Sequence, residues 1–191
     1  MWLWALAGIW AAAVTGGLSV LWAYDNTPGE AGRSPAAWPA ETRLSRSTDQ
    51  PTLVLFAHPQ CSCTRASLGE LAELLARARS QPKTYVVFLR PFGVEQEWEK
   101  TDLWRKATSL PNVTVIRDDN GDEAARFGAV TSGQTVLYDE DGALRFTGGI
   151  TGARGHSGDN AGRASVVALL NRAPVERSWT SVFGCGLFST I

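Results

Sequence analysis

Apolar residues follow two patterns after residue 50, and each pattern predicts a different kind of element. Short continuous apolar runs are typical of strands that are covered on both faces. The predicted strands are 52–57, 85–89, 113–116, 135–138 and 143–146. The last two flank the polar stretch Asp139-Glu-Asp-Gly142, and this arrangement predicts a hairpin.

Helices are predicted where apolar residues return every three or four positions. Leu68, Leu71 and Leu75 share one face of such a segment, and Pro82 lies beyond its end. The predicted helices are 62–78, 95–110, 122–127 and 162–171. The combined order βαβαβαββα predicts a layered α/β domain with a mixed central sheet flanked by helices.

The N-terminus has a third pattern, because no charged side chain occurs from Trp2 to Tyr24. A helix of this length, at about 1.5 Å per residue, could cross a hydrocarbon layer of roughly 30 Å. A cleaved signal peptide is an alternative, but no Lys or Arg precedes the apolar run. A buried core helix is a further alternative. We predict that residues 1–24 are an uncleaved transmembrane anchor.

Residues 25–50 contain three prolines, two glycines and scattered charges, without a sustained period. Such a segment buries too little surface to order itself and predicts a flexible linker. The sequence therefore predicts three parts: an anchor or signal segment at 1–24, a flexible linker at 25–50, and one folded domain at 51–191.

Composition excludes several classes of function. With 18 basic and 19 acidic residues, the net charge is −1, so no overall field attracts nucleic acid. Three cysteines are too few for a disulfide scaffold, and two histidines leave little room for a multi-histidine metal site. No serine triad, paired-carboxylate signature or phosphate-binding glycine motif occurs.

Candidate chemistry is concentrated where the first predicted strand meets the first domain helix, at His58-Pro-Gln-Cys61-Ser-Cys63-Thr64. Ligands bind at the carboxyl ends of strands in open α/β sheets. Unpaired amide groups at the start of a helix stabilise a thiolate and lower the pKa of a cysteine there. Cys61 and Cys63 are therefore candidate nucleophiles or metal ligands, and a protonated His58 would favour the thiolate further.

The third cysteine, Cys185, lies in the short apolar stretch 181–188 near the C-terminus. It is either a small packing residue or a thiol that pairs with Cys61 or Cys63 in an oxidising compartment. Sequence alone leaves both interpretations open.

These residues resemble the thioredoxin fold, in which a strand is followed after a few residues by a cysteine that opens a helix. The downstream motifs Gly121-Asp-Glu-Ala124 and Asp141-Gly142 also match. The strand and helix between 85 and 110 match the insertion of exported, membrane-tethered proteins of the TlpA and ResA kind. Cys61-Ser-Cys63-Thr64, 131–135, 148–156 and 183–185 are similar to the RedB-type branch. The resemblance implies a soluble domain facing the periplasm or cell exterior, with a protein thiol or disulfide as partner.

Two departures from thioredoxin matter. The usual spacing of two residues between the cysteines is one here, and Thr64 occupies the usual resolving position. No proline stands at Gly133-Gln134, where thioredoxins place a cis-proline that shapes the substrate groove and blocks metal ligation. Metal binding is therefore easier to envisage here.

The resemblance also places the turn after the last strand near the helix that carries the cysteines. His156 could then face Cys61 and Cys63, either as a proton acceptor or as a third ligand for copper. Sco-type copper chaperones, which use two cysteines and one histidine, are a partial precedent. The alternative is a mobile glycine-rich loop with solvated polar residues.

Three hypotheses follow. The first is a membrane-anchored thiol–disulfide oxidoreductase that needs no cofactor, in which Cys61 attacks and Cys63 or Cys185 resolves. The second is a copper-binding or metallochaperone protein that uses Cys61, Cys63 and His156. The third is a peroxidase-like reaction in which Thr64 and Arg154 assist Cys61.

Overall fold

A computed structural model of the protein describes residues 2–188. Met1 of the predicted anchor and residues 189–191 of the predicted domain lie outside the described residues. The elements are α1 (Trp2–Asn26), β1 (Thr52–Ala57), α2 (Ser62–Arg77), β2 (Lys83–Arg90), α3 (Asp102–Thr108), β3 (Val113–Asp119), α4 (Asp122–Arg126), β4 (Gln134–Tyr138), β5 (Leu144–Gly149) and α5 (Ala161–Leu170).

The five strands form one mixed sheet in the order β3-β2-β1-β4-β5. β1 is parallel to β2, and β2 is parallel to β3. β4 runs antiparallel to both β1 and β5. β1 is therefore the central strand, and its six residues are all buried. Its carboxyl end leads directly into the turn before α2, where the sequence places the candidate cysteines.

Apolar side chains pack on both faces of the sheet. On one face, residues of β1 and β2 pack against α2, α3 and α5, with Leu71, Phe88 and Val166 fully buried. On the other face, Phe56, Phe127 and Tyr138 form the centre of a second cluster. Burial on both faces explains why the central strands read as continuous apolar runs. The predicted α/β class and mixed sheet are confirmed.

The second domain helix is shorter than the periodicity predicts. α3 begins at Asp102, whereas residues 96–99 form turns. Glu97 has a φ of 70°, and Thr101, just before α3, is extended. The Thr101 hydroxyl donates a hydrogen bond of 3.0 Å to the Pro59 carbonyl. These contacts hold the segment against the turn that follows β1, so it does not continue as a helix.

Residues 28–46, here called the N-terminal strap, lie against the domain, which differs from the flexible linker expected from composition. Trp38 packs edge-on against Phe127 and Tyr138, with ring centroids 5.1 and 5.3 Å apart. The Tyr138 hydroxyl donates to the Pro35 carbonyl at 2.9 Å, and Leu44 is buried. Composition did not reveal this packing because the surface that receives the strap is formed by distant strands.

α1 extends away from the domain, and none of its described side chains is buried. It is long and apolar enough to cross a membrane, and no other helix within residues 2–188 meets that description. This confirms a membrane-spanning candidate at the N-terminus. A retained anchor, as opposed to a signal sequence, remains a prediction.

Candidate active site

The turn from His58 to Cys61 positions the first cysteine at the start of α2. The Cys61 amide donates to the His58 carbonyl at 3.2 Å, and the Thr64 amide donates to the Cys61 carbonyl at 3.0 Å. Cys61 is the N-cap residue of this 16-residue helix, with extended backbone angles. Cys61 therefore stands at the positively charged end of the helix dipole, which favours a negative charge on its sulfur.

Hydroxyl groups hold this turn against the loop that precedes β4. The Thr64 hydroxyl donates to the His58 carbonyl at 3.0 Å and lies 2.9 Å from Ser132 Oγ. Ser132 Oγ also accepts a hydrogen bond from the His58 amide at 2.9 Å. Thr64, which occupies the position of the resolving cysteine in thioredoxins, therefore helps to hold the turn in place. Ser132 was not singled out in the sequence, although it lies within the motif 131–135.

The structure brings Cys185 to Cys61. Their Sγ atoms are 2.8 Å apart, in hydrogen-bond contact, and all three cysteines are free thiols. Residues 182–187, here called the tail, are held along residues 130–132. The Ser132 amide donates to the Cys185 carbonyl, and the Leu187 amide donates to the Val130 carbonyl, both at 2.8 Å. The two sulfurs thus come from segments 124 residues apart.

The three thiols have very different acidities. A hydrogen bond from Cys63 lowers the pKa of Cys61 to about 4; burial opposes this, and a hydrogen bond from Cys185 adds to it. Donation to Cys61 raises the pKa of Cys63 strongly. Burial, followed by donation to Cys61, raises the pKa of Cys185 to about 11. At neutral pH, Cys61 is therefore the thiolate of the three, in contact with the Cys185 thiol.

Access to the three sulfurs also differs. Cys61 is 2% exposed and Cys63 is 6% exposed, whereas Cys185 is partly exposed at the surface. The thiolate is therefore covered, and the residue in contact with it is the one that solvent reaches. Sequence position at a helix N-terminus gave no indication of this cover, because the tail is remote in the chain.

His58 is buried beneath this site, with 3% exposure. Its Nδ1 accepts a hydrogen bond of 3.2 Å from the Gln60 amide, and its ring packs edge-on against Trp98. Burial lowers the pKa of His58, although the nearby Cys61 charge opposes this effect. A neutral His58 supports the turn, and the thiolate is stabilised by the neighbouring thiols.

His156 is exposed, and its Nδ1 lies 2.9 Å from the Arg154 carbonyl. The predicted approach of this loop to the cysteines is made by its backbone, since the Gly155 amide hydrogen-bonds to Cys63. Within residues 2–188, no group of three His, Cys, Asp or Glu side chains is arranged to hold a metal ion. The copper ligand set of Cys61, Cys63 and His156 is therefore not assembled, and the residues do not fit the ion in this arrangement.

Arg154 connects the tail to the end of α1. Its Nη1 donates to the Gly184 carbonyl at 2.6 Å, and its positive charge lowers the pKa of the neighbouring Cys185 against the larger effect of burial. Its Nε donates to the Thr27 carbonyl at 3.1 Å, and the guanidinium lies 5.0 Å from the centre of the Tyr24 ring. The site therefore lies close to the domain end of the apolar helix.

A cleft of about 580 Å³ lies beside the turn. His58 and Gln60 form one part of its wall, and the aromatic residues Phe92, Trp98 and Phe188 form much of the rest. None of the three cysteines lines it. Sequence analysis did not predict this cleft, which depends on the non-helical course of residues 93–100.

The sequence matches no protein-family model and no curated protein. Among solved structures, the chain is similar to an uncharacterized conserved protein from Geobacillus kaustophilus, at 16% identity and a TM-score of 0.61, over 86% of this chain and 93% of that one. It is also similar to a hypothetical protein from Sinorhizobium meliloti 1021, at 21% identity and a TM-score of 0.54, over 86% and 95%.

An exposed lipoprotein thioredoxin from Streptococcus pneumoniae strain TIGR4 is a further similar structure, at 19% identity and a TM-score of 0.47, over 73% of this chain and 99% of that one. The strand order β3-β2-β1-β4-β5, with a cysteine opening the helix after the central strand, decides the fold. The fold is thioredoxin-like. This confirms the expected fold.

Proposed function

We propose that the protein is a membrane-anchored thiol–disulfide redox protein in which Cys61 and Cys185 form the redox couple. The observation that carries this proposal is the 2.8 Å contact between the two Sγ atoms at the N-terminus of α2. A stabilised thiolate in contact with a second thiol is the arrangement that thiol–disulfide exchange requires.

Cys63 has a supporting role in this proposal. Its interaction with Cys61 is the main cause of the low pKa of Cys61. Its own pKa is raised strongly, so at neutral pH it supplies almost no thiolate for a second attack. Cys185 is better suited as the resolving residue because it is partly exposed and its pKa is raised less.

Cys61 and Cys185 are sufficient for a complete exchange reaction with an external disulfide. The Cys61 thiolate attacks one sulfur of a disulfide, forms a mixed disulfide and releases one thiolate. Cys185 then loses its proton, attacks the Cys61 sulfur and releases the second thiolate, which leaves an intramolecular Cys61–Cys185 disulfide. In the opposite direction, the Cys61–Cys185 disulfide accepts two electrons and two thiols of a partner become a disulfide.

The proposed setting follows from α1 and from the chemistry. α1 would hold the domain at a membrane, facing the periplasm or cell exterior, where disulfides persist. The partner is a protein thiol or disulfide. The Cys61-Ser-Cys63-Thr64 motif supports placement in the RedB-type branch of thioredoxin-like proteins.

Disulfide mapping of the full-length protein in detergent micelles tests the proposal. After oxidation with diamide, peptide mass spectrometry of the wild type and of Cys63→Ser should show a Cys61–Cys185 bridge, whereas Cys185→Ser should not form it. Equilibration in glutathione buffers then gives the reduction potential of the pair. A predominant Cys61–Cys63 bridge, or no intramolecular bridge at all, would contradict the proposed couple.

A copper titration of the reduced protein belongs to the same experiment. Stoichiometric copper binding that is lost in His156→Ala, without any thiol–disulfide exchange, would support the metallochaperone hypothesis and contradict ours. We expect His156→Ala to exchange disulfides as the wild type does, because the His156 side chain is exposed and bonded to the Arg154 carbonyl.

A further inference from the structure

Of the two paired cysteines, the more acidic one is the less exposed. The strongest thiolate, Cys61, is covered, whereas the weakly acidic Cys185 is partly exposed. An external disulfide can reach the Cys61 sulfur only after the tail moves. An external thiolate can approach Cys185 while the tail stays in place.

In the oxidised form, the differences in exposure and acidity determine which of the two sulfurs is attacked. Once Cys61 and Cys185 are joined, a thiolate can attack either sulfur, and the other sulfur leaves with the electron pair. Exchange is faster when the leaving thiol has the lower pKa and when the attacked sulfur is accessible. Both conditions select Cys185 as the attacked sulfur and Cys61 as the leaving group.

We propose that the protein donates its disulfide to reduced protein thiols and that the exchange takes place at Cys185, the partly exposed cysteine of the tail. This inference rests on the proposed redox couple and adds to it the direction of reaction, the substrate class and the sulfur that meets the substrate. The substrate is a pair of cysteine thiols in a partner protein.

The proposed reaction has two exchange steps. A partner thiolate attacks Cys185 Sγ, a new sulfur–sulfur bond forms, and the bond to Cys61 breaks. Cys61 leaves as a thiolate and needs no proton. A second partner thiolate then attacks the partner's own sulfur in the mixed disulfide, and Cys185 leaves and takes up a proton. The partner's two thiols have become a disulfide, and the protein has gained two electrons.

The hydrogen-bond donors around Cys61 favour this direction. The Cys185 sulfur lies 2.8 Å from the Cys61 sulfur, in hydrogen-bond contact, and together with Cys63 it stabilises the Cys61 thiolate of the reduced form. Stabilising the reduced form makes a disulfide a stronger oxidant. Arg154 supports both steps, because its guanidinium attracts an incoming thiolate and favours the Cys185 anion when it leaves. Its contact with the Gly184 carbonyl keeps the exposed sulfur in place.

The test uses full-length protein in detergent micelles, oxidised until the Cys61–Cys185 bridge is verified by mass spectrometry. Glutathione serves as the probe thiol, and the reaction is quenched with acid and an alkylating agent over a time course. We expect glutathione adducts on Cys185 to exceed those on Cys61 by at least roughly tenfold at early times. The matched variant Cys63→Ser should give the same preference and excludes reshuffling through Cys63.

The outcomes separate this inference from the proposed function. If no Cys61–Cys185 bridge forms, the redox couple itself is wrong. If the bridge forms but glutathione appears mainly on Cys61, the couple stands and exchange at Cys185 is overturned. If the bridge persists in a buffer with a large excess of reduced over oxidised glutathione, the protein is a reductant and the proposed direction is overturned.

Discussion

The two segments that supply the paired sulfurs are held in different ways. Cys61 belongs to a turn between the fully buried strand β1 and the helix α2, and hydroxyl groups of Thr64 and Ser132 link this turn to the loop before β4. The tail has no regular secondary structure, and a few backbone hydrogen bonds hold it along residues 130–132. Cys61 is fixed by the packed turn, whereas Cys185 lies in an irregular segment that is anchored by the buried side chains of Val182 and Leu187.

This difference separates two requirements of a redox site. The pKa of Cys61 depends mainly on Cys63, which belongs to the packed helix α2. Contact with a partner requires exposure, which the partly exposed Cys185 provides from a segment without regular secondary structure. Changes in the two segments should therefore have separable effects, and the following experiments test this.

The largest effect is expected from Glu70→Gln, which acts on the packed side. Glu70 is buried on α2 and accepts hydrogen bonds from Arg163 of α5 and from the Gly158 amide. Removing one charge of a buried pair costs about 3–5 kcal/mol. We expect urea unfolding to show a loss of this size, with the Cys61–Cys185 bridge still forming in native buffer. Glu73→Gln, an exposed position on the same helix, should change the stability by less than about 0.5 kcal/mol.

The second largest effect is expected on the pKa of Cys61 when Cys63, its main hydrogen-bond donor, is replaced. The thiolate absorbance of the reduced wild type should persist as the pH is lowered and disappear around pH 4, since Cys61 is protonated only below its pKa. Cys63→Ala should raise this midpoint by roughly 1–2 pH units, because a hydrogen bond to a charged group contributes about 1.5–3 kcal/mol.

Cys63→Ser, which keeps a hydroxyl donor, is the matched control and should raise the midpoint less. An unchanged midpoint in Cys63→Ala would show that Cys63 does not stabilise the thiolate.

The substitution Gly184→Ala, which adds a single methyl group, should weaken the attachment of the tail. A Cβ at Gly184 would lie 1.9 Å from the Ser132 carbonyl oxygen, which belongs to the backbone and cannot turn aside. Overpacking of this kind costs about 1–3 kcal/mol, so the yield of the Cys61–Cys185 bridge should fall by roughly tenfold under competing glutathione. Cys61 should also be alkylated faster, since its cover is displaced.

Gly152→Ala is the control for this experiment, because its added Cβ would meet only Asn160 at an ordinary 3.7 Å. Equal bridge yields in the two variants would indicate that the docked tail is not what brings the sulfurs together.

The smallest effect is expected at Arg154. Replacement by Gln removes the positive charge that lowers the pKa of Cys185, so this pKa should rise and glutathione attack at Cys185 should slow by about two- to fivefold. Arg154→Lys should retain most of the rate because the charge remains. The pH profile of Cys185 alkylation measures the change, and a profile shifted to lower pH would have the wrong sign for this role.

Local patterns predicted the fold and half of the site. Continuous apolar runs identified β1 and β2, since these strands are covered on both faces. The position of Cys61 at the start of α2 also followed from local sequence, and its lowered pKa agrees with that expectation, although the main cause is the hydrogen bond from Cys63.

The remaining features depend on contacts between distant parts of the chain. Sequence left the pairing of Cys185 open because its distance from Cys61 is set by the course of the tail along residues 130–132. The shortened α3 follows from the contact between Thr101 and Pro59, which the spacing of apolar residues along the sequence cannot reveal. The role of Ser132 likewise depends on its position opposite Thr64.

The N-terminal strap has a consequence for how the domain moves at a membrane. α1 ends at Asn26, and the Gly29 amide already donates a hydrogen bond of 2.8 Å to the Val182 carbonyl on the domain. Almost no slack chain remains between the two, so a domain carried by α1 in a bilayer has no tether on which to swing. The Cys185 sulfur would stay at one height above the lipid, and the cysteines of a partner would have to lie at that same height.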